Sequence, residues 1–198
     1  MSDNNTKFDY IIVGGGSAGC LLANRLSSEP KNRVLLLEAG KKDSYPWLHI
    51  PVGYLYCIGN PRTDWMYQTE PEQGLNGRSQ RYPRGKTLGG CSSINGMIYM
   101  RGQARDYEHW AHLTGDETWN WEHALNAFKA HENHYRLDNG ANPITKNNNS
   151  FSELHGHGGE WRIEKQRLHW DVLDSFVDAA VEMGIERTDD FNNGDNAG

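Results

Sequence analysis

Three glycines spaced as Gly14-x-Gly16-x-x-Gly19 restrict this chain more than any other feature. Residues 8–13 before them form a short, β-rich apolar run. After them Leu21, Leu22 and Leu26 recur near helical spacing until Pro30 ends the pattern. A strand that breaks abruptly into a helix makes a separate demand at each glycine. Gly14 permits the tight turn, Gly16 lets the backbone approach a bound group, and Gly19 lets the helix pack closely on the strand. A second apolar run, Val34-Leu35-Leu36-Leu37, has the composition of a parallel strand buried on both faces. Strand, helix and strand in this order make a βαβ unit with a right-handed crossover, so an α/β fold is expected.

The same residues carry a binding chemistry. Backbone amides at the start of the helix, around Ser17 and Ala18, point outward with the positive end of the helix dipole behind them, which suits a pyrophosphate. Glu38 stands about twenty residues beyond Gly19, at the end of the second strand, where a carboxylate hydrogen-bonds a ribose diol and repels a 2′-phosphate. An ordinary turn and a solvated carboxylate would each explain one of these features. Their coincidence with a strand before the glycines and a helix after them favours a dinucleotide site.

A second glycine-rich element spans residues 84–97, and a plain nicotinamide-binding fold does not account for it. Its bare backbone suggests another nest for phosphate or ring oxygens. Arg84-Gly85-Lys86-Thr87-Leu88-Gly89-Gly90, continued by Ser92, Ile94-Asn95-Gly96-Met97 and Tyr99-Met100-Arg101-Gly102, closely resembles the stretch that lines FAD in glucose–methanol–choline (GMC) oxidoreductases. The likeness runs in chain order through Glu38-Ala39-Gly40, Asp64-Trp65, residues 75–78, Trp110, residues 119–121 and Asp190-Phe191-Asn192. Within the family it is most similar to bacterial choline dehydrogenases and aliphatic alcohol dehydrogenases. The resemblance implies that Gly14, Gly16, Ser17, Ala18, Glu38 and Ala39 hold the ADP portion of FAD, with Gly19 completing that set. It places Gly85, Leu88, Gly90, Asn95, Gly96, Met97 and Ile98 along the pyrophosphate, the ribityl chain or the isoalloxazine. Some members join the flavin covalently through a histidine in this element. Ile94 stands at that position here, so a dissociable, non-covalent FAD is expected.

As a fold, the resemblance implies an FAD-binding Rossmann-like βαβ domain over residues 1–138. A connector and the start of an incomplete substrate domain would follow over residues 139–198. As a function, it implies oxidation of the CH–OH group of choline or another primary alcohol by hydride transfer to flavin N5. The family's base is a histidine in the carboxyl-terminal half, paired with a second His or Asn. None of the nine histidines here matches that motif, so no catalytic residue is expected. The chain therefore reads as truncated and inactive by itself, with apolar surface left uncovered. Its expected partners are a small alcohol and an unidentified electron acceptor. Two further readings stay open on sequence: a non-catalytic FAD or dinucleotide-binding module acting through a partner, and an NAD-dependent dehydrogenase using the first fingerprint alone.

Composition narrows the field. A net charge of −6 and a pI near 5.8 argue against nucleic-acid partners. Apolar content of 36% with a mean hydropathy of −0.80 allows a modest core. Cys20, Cys57 and Cys91 are spaced for neither a disulfide framework nor a zinc site, which fits a reducing compartment. The polar amino terminus leads into a run too short for a signal core or a span. A cytoplasmic protein is expected, or one peripheral to the inner membrane, with no membrane contact through this portion.

Other groups read as structural. His131 and His134, three apart on an expected helix, and His155-Gly156-His157 lack a third ligand at a suitable spacing, so no metal is expected. Trp119 and Trp121 read as helix packing, and Ser92-Ser93 lacks the elbow of a serine nucleophile. Two helices are expected over residues 106–135, interrupted near Gly115, and an amphipathic helix over 172–183. Residues 139–150 read as an exposed connector and 192–198 as turn-like.

Overall fold

Tyr10–Val13 forms strand β1 and Val34–Leu37 forms β2. They lie parallel, with Tyr10 opposite Val34 and Val13 opposite Leu37. Helix α1, Ser17–Ser27, makes the crossover between them. In this computed structural model residues 7–144 and 150–193 are described. Residues 1–6 of the polar amino terminus, 145–149 of the connector and 194–198 of the turn-like tail lie outside the described residues. The Gly14 N–H donates to Leu37 O at 2.7 Å, which carries the ladder one residue past β1. At the other end of α1, Asn32 Nδ2 donates to Leu26 O at 2.9 Å, so the side chain takes up a helix carbonyl just where Pro30 forbids continuation.

The βαβ unit is as expected, but its strands are not buried on both faces. Ile12 turns towards Gly19 of α1, while the alternate residues Ile11 and Val13 are 61% and 84% exposed. The reason is the sheet itself: among the described residues it has two strands, each with the other as its neighbour.

The chain divides into two compact units, Met1–Ile98 and Tyr99–Gly198. This division by packing is a different quantity from the division by function expected at residue 138. In the first unit the stretch after Gly40 is irregular but packed. It holds one turn of helix, α2 (Tyr54–Cys57), and a short antiparallel pair, β3 (Tyr67–Gln68) with β4 (Arg81–Tyr82). Trp47 stacks on Tyr56 at 4.3 Å, and Trp65 stacks on Tyr67 at 5.7 Å. Asp64 organises the stretch: its buried carboxylate accepts the N–H groups of Gly59 (2.8 Å), Met66 (3.0 Å) and Arg84 (3.1 Å). Burial opposes its charge, yet these three amides hold its pKa below the usual value.

In the second unit α3 (Ala104–Thr114) ends at Gly115, whose φ of 66° is the left-handed stop that the sequence suggested. Asn120 caps α4 (Trp121–His131) by accepting the His123 N–H at 3.1 Å. Tyr107 packs on Trp110 and Trp121, each with ring centres 5.5 Å away, and Trp119 meets Trp110 at 6.1 Å, so this cluster joins the helices. The second helix stops earlier than expected. Glu132–His134 is strand β5, parallel to β6 (Trp161–Ile163), with the short helix α5 (Phe151–Leu154) between them. His131 and His134 therefore do not share a helix.

The loop after α5 explains its own glycines. A Cβ on Gly156 would lie 2.0 Å from Lys129 O, and one on Gly159 would lie 2.2 Å from the His131 carbonyl carbon. Helix α6, Asp171–Glu182, is amphipathic as expected, but Phe176 on its apolar face is 75% exposed. No helix among the described residues is long and apolar enough to cross a membrane.

Candidate cofactor-binding site

The first glycine turn needs its glycines for different reasons. Gly14 has φ +100°, and a Cβ on Gly19 would lie 1.9 Å from Gly14 O, so α1 could not seat itself against the turn with any larger residue there. Gly16 differs: its φ is −79°, and a Cβ there would meet no protein atom within 4 Å. Protein packing therefore does not demand a glycine at position 16, whereas close approach of a bound group would. Gly16 is also the N-cap of α1 and supplies no side-chain cap. The first-turn amides of a helix have no partner within the helix, so Ser17 and Ala18, both exposed, leave donors for an anion.

The second glycine element lies directly on the first. Gly89 N–H donates to Gly15 O at 2.7 Å, and a Cβ on Gly90 would lie 2.8 Å from Gly16 Cα. Leu88 Cδ1 approaches the site of a Gly15 Cβ to 3.0 Å, and Ser17 Oγ donates to Ser92 Oγ at 3.0 Å. Gly85 closes the same turn, since a Cβ there would fall 2.1 Å from Gly90 O. The element is anchored upstream as well, where Thr87 Oγ1 and Leu88 N–H both donate to Lys41 O at 3.0 Å.

Glu38 sits where these pieces meet. Its Oε2 accepts the Gly15 N–H and its Oε1 the Gly40 N–H, each at 2.7 Å. The structure thus gathers Gly14, Gly16, Ser17, Ala18, Gly19, Glu38, Gly85, Leu88 and Gly90 into one region, with Ala39 exposed next to Glu38. Asn95, Gly96, Met97 and Ile98 follow the contact as an exposed stretch, in which Asn95 Oδ1 accepts the Met97 N–H at 3.0 Å and Met97 takes a φ of +61°. Ile94, by contrast, is buried. An uncapped helix start, a position where an added Cβ meets no protein atom and a half-buried carboxylate at the strand end together fit the ADP portion of FAD.

A second cluster went unread in the sequence as a unit. In the Tyr99–Gly198 unit Arg101, Glu132, His155 and Asp190 alternate in charge, the first three buried and Asp190 at the edge of the core. His155 Nδ1 meets Glu132 Oε1 at 2.8 Å, and Nε2 meets Asp190 Oδ2 at 2.9 Å. The Arg101 guanidinium pairs with Glu132 and donates to Leu154 O at 2.6 Å. Asn192 Oδ1 accepts the Arg101 N–H at 2.8 Å, and its Nδ2 donates to Tyr99 O at 3.1 Å. Ionised carboxylates only accept, so both ring nitrogens of His155 act as donors and the ring is an imidazolium. Burial works against that charge, but the hydrogen bonds to Asp190 and Glu132 outweigh it and raise the pKa.

Burial and the positive charge of His155 push His134 down to about 4. Ligand atoms of Glu132, His134 and His155 come within 4.8 Å of one another. They are already engaged, however: both His155 nitrogens face carboxylates, and His134 Nδ1 accepts the Arg136 N–H at 3.2 Å. With Arg101 on the same carboxylate, the chemistry is that of an ion-pair network. The motif fragments Tyr99-x-Arg101, His155-Gly156 and Asp190-x-Asn192 were the available signal, but no spacing rule joins residues so far apart.

Comparison with known proteins agrees with this geometry. The GMC oxidoreductase family model matches residues 8–198. The chain is 44% identical over 185 residues to an alcohol dehydrogenase (acceptor) of Pseudomonas putida, covering 93% of this chain and 31% of that protein. It is 43% identical over 195 residues to an oxygen-dependent choline dehydrogenase of Staphylococcus aureus, covering 97% of this chain and 32% of that protein. Among solved structures, pyridoxine 4-oxidase from Mesorbium loti matches with a TM-score of 0.81 at 35% identity, covering 95% of this chain and 34% of its own. Formate oxidase from Aspergillus oryzae RIB40, studied for modification of its FAD, matches with a TM-score of 0.80 at 26% identity, covering 96% and 33%. The chain thus spans about a third of the length of these relatives. The fold is an α/β FAD-binding one, its two glycine elements are in contact, and the chain belongs to the GMC oxidoreductase family.

Proposed function

We propose that this chain is the cofactor-binding portion of an FAD-dependent oxidoreductase that acts on the CH–OH group of choline or another primary alcohol. The observation that carries the reading is the Gly89 to Gly15 hydrogen bond of 2.7 Å, which puts two glycine elements 74 residues apart in sequence at one place. Bound FAD would supply an acceptor at N5 for the hydride that leaves the alcohol carbon. The residues of this chain bind and orient. Amides at Gly16, Ser17 and Ala18 hold the pyrophosphate, and Glu38 and Ala39 hold the adenosine side. Gly85, Leu88, Gly90, Asn95, Gly96, Met97 and Ile98 line the remainder. Ile94, a buried hydrocarbon, offers no atom for a bond to the flavin, so the cofactor is held without a covalent link.

The fragment reading rests on the chain spanning about a third of its relatives' length, and in that reading the base that takes the hydroxyl proton and most of the alcohol pocket come from sequence outside these 198 residues. The names of the relatives in Pseudomonas putida and Staphylococcus aureus support an alcohol donor. Cysteines without a disulfide partner suit a reducing compartment, so the reading is of a protein in the cytoplasm or peripheral to the inner membrane, with an electron acceptor as its second partner. The test is purification of the 198-residue chain with added FAD. The expected protein is yellow, releases its flavin to the supernatant on acid precipitation, and reduces no dye when choline or a primary alcohol is supplied. A colourless protein would overturn the cofactor, flavin retained in the pellet would overturn the non-covalent link, and robust alcohol-dependent dye reduction would overturn the missing base.

A further inference from the structure

We infer that Glu38 is a positioning residue that braces the two glycine elements against each other, in addition to any contact with a ribose. The inference deepens the cofactor reading above and rests on it. Both carboxylate oxygens are already committed to the backbone, Oε2 to the Gly15 N–H and Oε1 to the Gly40 N–H, each at 2.7 Å. Both residues held in this way touch the second element. Gly15 receives the Gly89 N–H on its carbonyl at 2.7 Å and has Leu88 packed over it, while a Cβ on Gly40 would fall 2.1 Å from the Lys86 carbonyl carbon.

One carboxylate therefore fixes the first turn and the end of β2 at two of the points where residues 86–89 lean on them. A carboxylate oxygen has two acceptor sites, so each oxygen keeps one for a ligand after binding an amide. Bracing and ribose recognition are thus compatible, and they are separable by experiment. A glutamine at position 38 offers one acceptor and turns an NH2 towards the other backbone N–H, so one arm of the brace is lost whatever the ligand. Charge-assisted bonds to a carboxylate are about twice as strong as neutral ones, which makes the loss measurable.

The experiment uses the full 198-residue chain, as wild type and as Glu38→Gln, with ADP and 2′,3′-dideoxy-ADP as probes of the adenosine end. Calorimetry is expected to show the dideoxy nucleotide weakened about tenfold in the variant through the lost brace, and ADP weakened at least as much. Amide exchange without ligand is expected to accelerate at Gly15 and Gly40, while the paired amides of β1 and β2 keep their protection. If the variant binds the dideoxy nucleotide as tightly as wild type does, Glu38 acts through the ribose hydroxyls alone and the inference is wrong. Unchanged exchange at both glycines overturns it equally. If wild type binds neither nucleotide yet exchange at Gly15 and Gly40 accelerates, the brace stands and the cofactor reading falls. Should Glu38→Gln fail to fold, Glu38→Asp carries the same comparison, because its carboxylate sits one methylene too far back to reach both amides.

Discussion

Two glycines of one motif answer to different masters, and substitution separates them. At Gly19 the constraint is internal, since a methyl group would lie 1.9 Å from Gly14 O and must displace either α1 or the turn. Gly19→Ala is expected to destabilise the chain by about 3 kcal/mol, read as a lowered thermal midpoint. At Gly16 the backbone is ordinary and an added Cβ meets no protein atom within 4 Å. Gly16→Ala is expected to change stability by less than about 1 kcal/mol while weakening FAD about tenfold in a fluorescence titration, because the methyl occupies space reserved for the pyrophosphate. Unaltered FAD affinity in Gly16→Ala would remove Gly16 from the site. The motif assigns Gly16 to the approach of a bound group and Gly19 to helix packing, and the surroundings of the two positions differ in the same sense.

At the scale of elements, the buried network ties β5, the loop after α5 and the segment around Asp190 into one unit, and its titration sets a pH optimum. His155 has a raised pKa, so its stabilising charge is fully present below the unfolded value of about 6.5 and is lost as pH rises through the folded value. His134 runs the other way. Its pKa falls to about 4, so the unfolded state binds the proton first and stability drops as pH falls from about 6.5 towards 4. Burial opposes the charges of Glu132 and Asp190, but the hydrogen bonds from His155 lower both, so their contributions also fade in acid. Thermal unfolding of this unit is expected to peak near pH 6.5 and to decline on both sides. His155→Gln should cost about 3 kcal/mol at that pH, because Glu132 and Asp190 keep their charges in the core with a neutral partner, and it should flatten the alkaline decline. An alkaline limb that survives the substitution would assign it to another group.

For the molecule as a whole, both units leave apolar side chains in water. Val13 of β1 is 84% exposed in one, and Met183 at the end of α6 is 82% exposed in the other. The uncovered surface foreseen from the sequence is therefore present, and the strand composition that suggested burial on both faces is where that reading failed. Val13→Ser is expected to alter stability by less than about 0.5 kcal/mol and to reduce the fluorescence of a bound naphthalene sulfonate dye. A loss of several kcal/mol would mean that water does not cover this residue. Composition predicts how well a strand would tolerate burial, but what covers it depends on neighbours that the local sequence does not contain.

By itself the sequence determined the βαβ unit, the stop at Gly115, the helix expected over residues 172–183 and found at Asp171–Glu182, and the positions of the two glycine elements. These depend on backbone freedom, periodicity and capping within a few residues, and such constraints are local. Tertiary structure alone decided that Gly89 bonds Gly15, that Glu38 holds two backbone amides, that α4 gives way to a strand at Glu132, and that Arg101, Glu132, His155 and Asp190 share one buried network. Each of these joins groups distant along the chain, or overrides a helical pattern in order to bury a charge beside its partners. Their energies exist only once folding has brought the partners together and removed the water between them.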